Sequence, residues 1–288
     1  MKTKNNAFDY FNIVILAGLA MVVVYPLVYV VSLSVSNTDA VLRGKVLLFP
    51  IGVQFRSYQQ IFKNPVIWTA YRNTLMYTGL GVIVRLIVLL ITAYPLSRKK
   101  FIGRNTFMMM ITFTMLFSGG MIPTYLLVNA LGITDTIWAM ILPGAISAYH
   151  IIIVRTFFQS TIPESLTESA ELDGANDLQT LTRIVAPLST PIIAVMALFI
   201  GVGIWNNFFQ ALLYLRRAEL LPLTVILREI IILAAGEVFE TFQAETGYIP
   251  PRSVQSATLV VSIVPMLCAY PFIQRYFVKG IMIGAIKG

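Results

Sequence analysis

The sequence predicts an all-α fold, a polytopic membrane protein with six transmembrane helices and a cytoplasmic helical hairpin. Three observations point there. Hydrophobic residues make up 57% of the 288 and charged residues only 12%, a balance too apolar for an ordinary soluble domain. Apolar runs of roughly 20 residues, long enough as helices to cross a hydrocarbon layer about 30 Å thick, recur along the chain. Between two of these runs lies a polar stretch with helix-start residues and a glycine break, which reads as a hairpin outside the lipid.

In chain order the spans fall at 12–35, 73–96, 105–128, 136–157, 191–215 and 255–277. Backbone groups cannot go unpaired in lipid, so each must be helical. Residues 1–10 are polar, but the run after them is too long for a signal sequence and lacks a cleavage site, so the first span stays in place. Pro26, Pro95, Pro123, Pro143, Pro265 and Pro271 mark kinks or breaks, which membrane helices tolerate. A seventh apolar stretch, 220–235, is shorter and has Arg228 and Glu229 at its centre, each costing at least about 2.5 kcal/mol in lipid. It reads as an amphipathic helix at the membrane surface, within an extracytoplasmic segment 216–254.

Six spans put both termini on one side. Arg98, Lys99, Lys100 and Arg104 fill the loop between spans two and three, whereas the turn at 132–135 holds no Lys or Arg. The positive-inside rule then places both termini, 97–104 and 158–190 in the cytoplasm.

Several function classes fall away. The net charge of +8 is scattered between apolar runs, which suits an anionic leaflet better than nucleic acid. Cys268 and His150 each stand alone, so neither an internal disulfide nor a Cys/His metal cluster can form. Gly44-Lys45 lacks the spacing of a phosphate-binding loop. The spans are almost free of Asp and Glu, which argues against ion-coupled secondary transport, and no Ser/His, HExxH or paired-Asp arrangement suggests an intramembrane enzyme.

A few side chains invite both a functional and a structural reading. Arg85 lies mid-span and must face protein or a watery cavity. It reads as a cation lining a path, or as the partner of a backbone carbonyl. Trp205, Asn206 and Asn207 offer the stacking and amide chemistry of sugar binding, yet Trp also belongs at interfaces and Asn bridges helices. Tyr149, His150 and Met108 to Met110 read as packing.

The informative stretch is 158–190. Pro163 opens a helix with Glu164, Glu168 and Glu171 in its first turns, and Gly174 breaks it. Leu166, Ala170 and Ala175 form a small apolar ridge, and a second helix ends at Pro187 and Pro191 before span five. Glu168-Ser169-Ala170, Asp173-Gly174-Ala175 and Pro187-Leu188 followed by Pro191 resemble the EAA motif of ABC importer permeases. Ser169 stands where that family usually has Ala. Trp205-Asn206 with Phe208, Phe209 and Ala211-Leu212 resembles the fifth-span signature of sugar-importer permeases, the MalG-like carbohydrate uptake type 1 class. Residues 117–123 and 223–229 are similar to its LplC/YtcP-like subgroup, and Lys279-Gly280 to Lys287-Gly288 to the family's C-terminus.

The resemblance implies a multi-pass permease of the bacterial cytoplasmic (inner) membrane with no catalytic residues and no cofactor of its own. Its hairpin would be a coupling helix, with Glu168, Ser169, Ala170, Asp173, Gly174, Ala175, Pro187 and Pro191 docking to an ATPase. The implied partners are a second permease subunit, two cytoplasmic ATPase subunits carrying ATP and Mg, and an extracytoplasmic solute-binding protein. The implied substrate is an oligosaccharide, including uronate-containing ones from alginate or pectin; a neutral sugar or other small solute is the alternative.

Overall fold

The computed structural model describes residues 7–234 and 249–285, and among them every regular element is helical. The chain divides into two compact units, Met1–Trp68 with Ile226–Pro265 and Thr69–Val225 with Met266–Gly288.

The first unit begins with α1 (Ala7–Val35), which has Pro26 in its interior. Its side chains from Ile13 to Leu27 are exposed in the isolated chain. A helix apolar on all sides cannot face water, so this one sits against lipid or another subunit. Its last turns become polar and tie down the loop beyond. Ser32 donates to the Leu48 carbonyl (2.7 Å), Ser36 accepts from the Ile51 N–H (3.1 Å), and Ser34 shares a 2.8 Å bond with Tyr58 of α3 (Arg56–Lys63). Between them α2 (Thr38–Leu42) is capped by Asn37, whose Oδ1 accepts from the Ala40 N–H. Gly52 has φ +62 and lies against the Asn37 side chain, so a β-carbon there would clash as well as strain.

The second unit is organised by α4 (Pro65–Ser97) from Thr69 onward. This helix starts eight residues before the predicted 73, with Pro65 at its first turn, where a missing N–H costs nothing. Tyr77, Leu89, Ala93, Tyr94 and Leu96 on α4 pack with Met140, Ile151, Val154, Phe158, Met196, Ile200 and Ile204 into the main core. Gly81 lets α4 meet Ile204, and Gly201 lies against Val82 and Thr78, the small-residue contact that brings membrane helices close.

Three predicted spans are not continuous helices. In place of 105–128 there are α5 (Arg104–Leu116) and α6 (Met121–Ala130), bent by 113° across residues 117–120. Gly120, at φ +87, supplies the turn. In place of 136–157 there are α7 (Trp138–Ile141) and α8 (Ala148–Thr161), interrupted at Pro143 and Gly144. The stretch 191–215 breaks at Asn206 and Asn207 between the helices Thr190–Trp205 and Phe208–Tyr214. The interruption at Pro143 is among those the prolines mark, but hydropathy misses the other two because residues on both sides are equally apolar.

Where the backbone leaves the helix, polar side chains take up its groups. Asn73 donates to the carbonyls of Glu219 (2.7 Å) and Leu221 (3.2 Å), and Tyr77 to that of Leu220 (2.8 Å). Thr74 Oγ1 accepts from the Leu223 N–H at 2.7 Å. One stripe of α4 thus satisfies the irregular segment 219–223, as a dry environment requires. Beyond it, Leu223–Ala234 buries Leu223, Val225, Ile226 and Leu227 and exposes Arg228 and Glu229. Residues 235–248 of the segment 216–254 lie outside the described residues, as do 286–288 of the C-terminal tail. The last described helix, Pro251–Ala285, contains the predicted span 255–277.

Candidate functional site

Residues 164–188 fold as α9 (Glu164–Leu172), a glycine turn, and α10 (Asp177–Thr180), which continues through a π-helical turn, Leu181–Val185, into α11 (Ala186–Leu188). The turn explains why Gly174 is needed. Its φ is +83, the Gly174 N–H donates to the Glu171 carbonyl (3.1 Å) and the Ala175 N–H to the Ala170 carbonyl (2.9 Å). These two bonds make a Schellman cap, whose left-handed position glycine occupies without strain. Asn176 and Gln179 then start α10 with reciprocal side-chain to backbone bonds, a capping box. At Ser189 the chain bends by 86° into α12 (Thr190–Trp205). Ser189 is fully buried, and Pro191 falls in the first turn of α12, where its missing N–H is harmless.

Glu168, Ser169, Asp173, Gly174 and Pro187 are exposed and Ala175 is half-buried. Ala170 is not part of an exposed ridge. It is only 6% exposed and faces inward, whereas Leu172 stands 89% exposed at the tip, with Leu178 at 63% beyond the turn.

The inner face of α9 is held by the basic loop. Lys99 Nζ donates to Glu164 Oε2 and Lys100 Nζ to Glu171 Oε2, both at 2.7 Å. Arg98 Nη2 reaches Glu171 Oε1 at 3.3 Å, its Nη1 bonds Thr167 Oγ1, and its guanidinium lies 5.9 Å from the Tyr94 ring centroid. Hydrogen bonds from the two lysines pull the Glu164 and Glu171 carboxyls below their ordinary value, and Glu171 raises Lys100. From the other side α8 holds the end of α4. Arg155 Nε donates to the Leu96 carbonyl (2.9 Å) and Gln159 Nε2 to that of Ser97 (3.3 Å).

Deeper in the same unit, Arg85 donates from Nε to the Ile141 carbonyl (3.0 Å) and from Nη2 to those of Pro143 (2.9 Å) and Met140 (3.3 Å). It caps the C-terminal carbonyls of α7, a structural role for which a cation at a helix end is suited. Gln210 Nε2 bonds the Ala139 carbonyl (2.8 Å), and Gln210 is itself bonded by Asn207, the N-cap of α13 (Phe208–Tyr214). Arg85 and Gln210, the latter held by Asn207, therefore both bond carbonyls of α7 and its C-terminal break. Trp205 is buried at 4% exposure, and Asn206 is exposed at the end of α12.

Residues 79–283 match the family described as the binding-protein-dependent transport system inner membrane component. The chain belongs to this family. The permease is 40% identical to the polygalacturonan/rhamnogalacturonan transport system permease protein YtcP of Bacillus subtilis strain 168, over 99% of this chain and 100% of that one. It is 38% identical to protein LplC of the same organism, over 98% of this chain and 95% of that one. A solved structure, a bacterial ABC transporter involved in the import of the acidic polysaccharide alginate, matches with a TM-score of 0.88. That match has 36% identity and covers 96% of this chain and all of the other.

Sequence reasoning about the permease missed Arg98, Lys99, Lys100, Thr167 and Leu172. The basic run was legible, but its cations were assigned to the lipid surface, because nothing in the sequence says that residues about 70 positions apart meet. The signal available was the acidic first half of α9, which calls for a cationic neighbour.

Proposed function

We propose that this chain is the transmembrane permease subunit of an ATP-driven importer for oligosaccharides, those containing uronates in particular. It would work with a second permease, two ATPases that carry ATP and Mg, and an extracytoplasmic solute-binding protein. Its six spans, three of them built from broken helices, would place both termini in the cytoplasm. The observation that carries this reading is the capped hairpin, a rigid tip with exposed Glu168, Leu172 and Asp173 turned about Gly174. Closure of the ATPases would move that tip and tilt the attached spans, alternating access to a central path. Similarity to a polygalacturonan/rhamnogalacturonan permease and to a transporter of the acidic polysaccharide alginate supports an anionic substrate. Arg85, held by the carbonyls of Met140, Ile141 and Pro143, would lend a cation to the path.

The test is purification of tagged chain from native membranes in mild detergent, followed by reconstitution with the co-purifying subunits. Wild type should bring down an ATPase and a second permease and import oligogalacturonate or oligoalginate in preference to a neutral oligosaccharide. Recovery of the chain alone, with no nucleotide-hydrolysing partner, would refute the reading. Equal uptake of neutral and acidic sugars would refute only the substrate.

A further inference from the structure

We propose that Arg98, Lys99 and Lys100 are positioning residues that fasten the hairpin tip to the cytoplasmic end of α4. ATPase movement then reaches α4 directly as well as through the covalent links to α8 and α12. The inference rests on the proposed coupling role of α9 and adds the route by which its motion enters the membrane.

The covalent route alone would be soft. α9 joins α8 through Ile162 and Pro163 only, and on its other side the chain passes the glycine turn, the π-helical turn and the bend at Ser189 before reaching α12. A lever with three breaks loses displacement at each. The clamp bypasses them. Three consecutive cations bond three residues one turn apart on a single face of α9, Glu164, Thr167 and Glu171. Arg98 is the pivot, with its side chain 15% exposed between Thr167 and Tyr94, while Lys99 and Lys100 are 73% and 60% exposed and supply charge at the rim. Arg155 and Gln159 hold the last carbonyls of α4, so α4, α8 and α9 meet at one joint. α4 in turn carries Arg85 on the carbonyls of α7 and Asn73, Thr74 and Tyr77 on segment 219–223. Displacement of its cytoplasmic end is therefore delivered to both irregular segments that it supports.

Charge reversal in the assembled, reconstituted transporter tests this. Lys100→Glu and Glu171→Lys should each retain the ATPase on purification but lower substrate moved per ATP hydrolysed by about fivefold or more, a typical coupling magnitude. The double exchange should restore most of that ratio. Lys100→Gln and Lys99→Gln serve as milder variants if reversal impairs assembly. A second arm replaces the exposed Cys268 with Ser and joins Lys99→Cys to Glu164→Cys with a short bismaleimide. A joint that moves as one body tolerates this link, so transport should continue. Unchanged coupling in the single variants, failure of the exchange to restore it, or transport arrested by the cross-link would overturn the proposal. Loss of the ATPase from wild type would instead overturn the importer reading itself.

Discussion

Gly174 and Arg85 show how differently two residues can be required. A β-carbon on Gly174 would meet nothing within 4 Å, so the demand there is purely conformational, from φ +83. Gly174→Asn should therefore be tolerated better than Gly174→Val, and Gly174→Ala should cost about 1–2 kcal/mol of local stability. Co-purification of the ATPase should follow that order, and an equal effect of Asn and Val would point to sterics instead. Arg85 is required for its donors. Arg85→Met leaves the carbonyls of Met140, Ile141 and Pro143 without a partner and should cost about 1–3 kcal/mol, read as a lowered melting temperature in detergent. Arg85→Lys should lose less, because an ammonium still reaches one or two of them.

Among the elements, α9 is the one whose two faces can be tested apart. On its outer face Leu172→Ser should weaken ATPase association by about 1–3 kcal/mol, the scale of burying one leucine, without changing the melting temperature of the isolated permease. On the inner face the ion pairs set a pH window. Glu171 has a folded value below its ordinary 4.5, so its stabilising share is fully present above 4.5 and is lost as pH falls through the lower folded value. Lys100 has a folded value above 10.5, so its share is present below that and is lost only as pH rises past the folded value. The difference in melting temperature between wild type and Glu171→Gln should therefore be constant from pH 6 to 9 and vanish on strong acidification. Because these lysines are largely exposed, raising the salt concentration should shrink it too.

At the scale of the whole molecule, the exposed apolar surface of α1 and α5 calls for lipid and a second subunit, since most apolar side chains of both helices stay exposed, Leu33 of α1 and Met108 and Ile111 of α5 being exceptions. The isolated permease should consequently be less stable in detergent than its complex. The gain on adding the partner permease should be lost when exposed Val22 or Phe113 is replaced by Asp, if those faces form the contact.

The all-helical membrane class and the glycine turn at Gly174 were legible in the sequence. These follow from local composition and from residues a few positions apart, where hydropathy, caps and helix-breakers act. Beyond the break that Pro143 marks, the tertiary structure was needed to see where the spans are interrupted and what each polar residue holds. Phe117 to Gly120, Pro143 with Gly144, and Asn206 with Asn207 interrupt helices inside equally apolar runs. Arg85 takes up the Pro143 carbonyl and Gln210 that of Ala139 in α7, while Asn73 and Tyr77 take up carbonyls of the irregular segment 219–223, all from far away in sequence. The clamp of Arg98 to Lys100 on Glu164 and Glu171 was hidden for the same reason. A charge in a sequence advertises only that it needs a partner, and folding chooses which one.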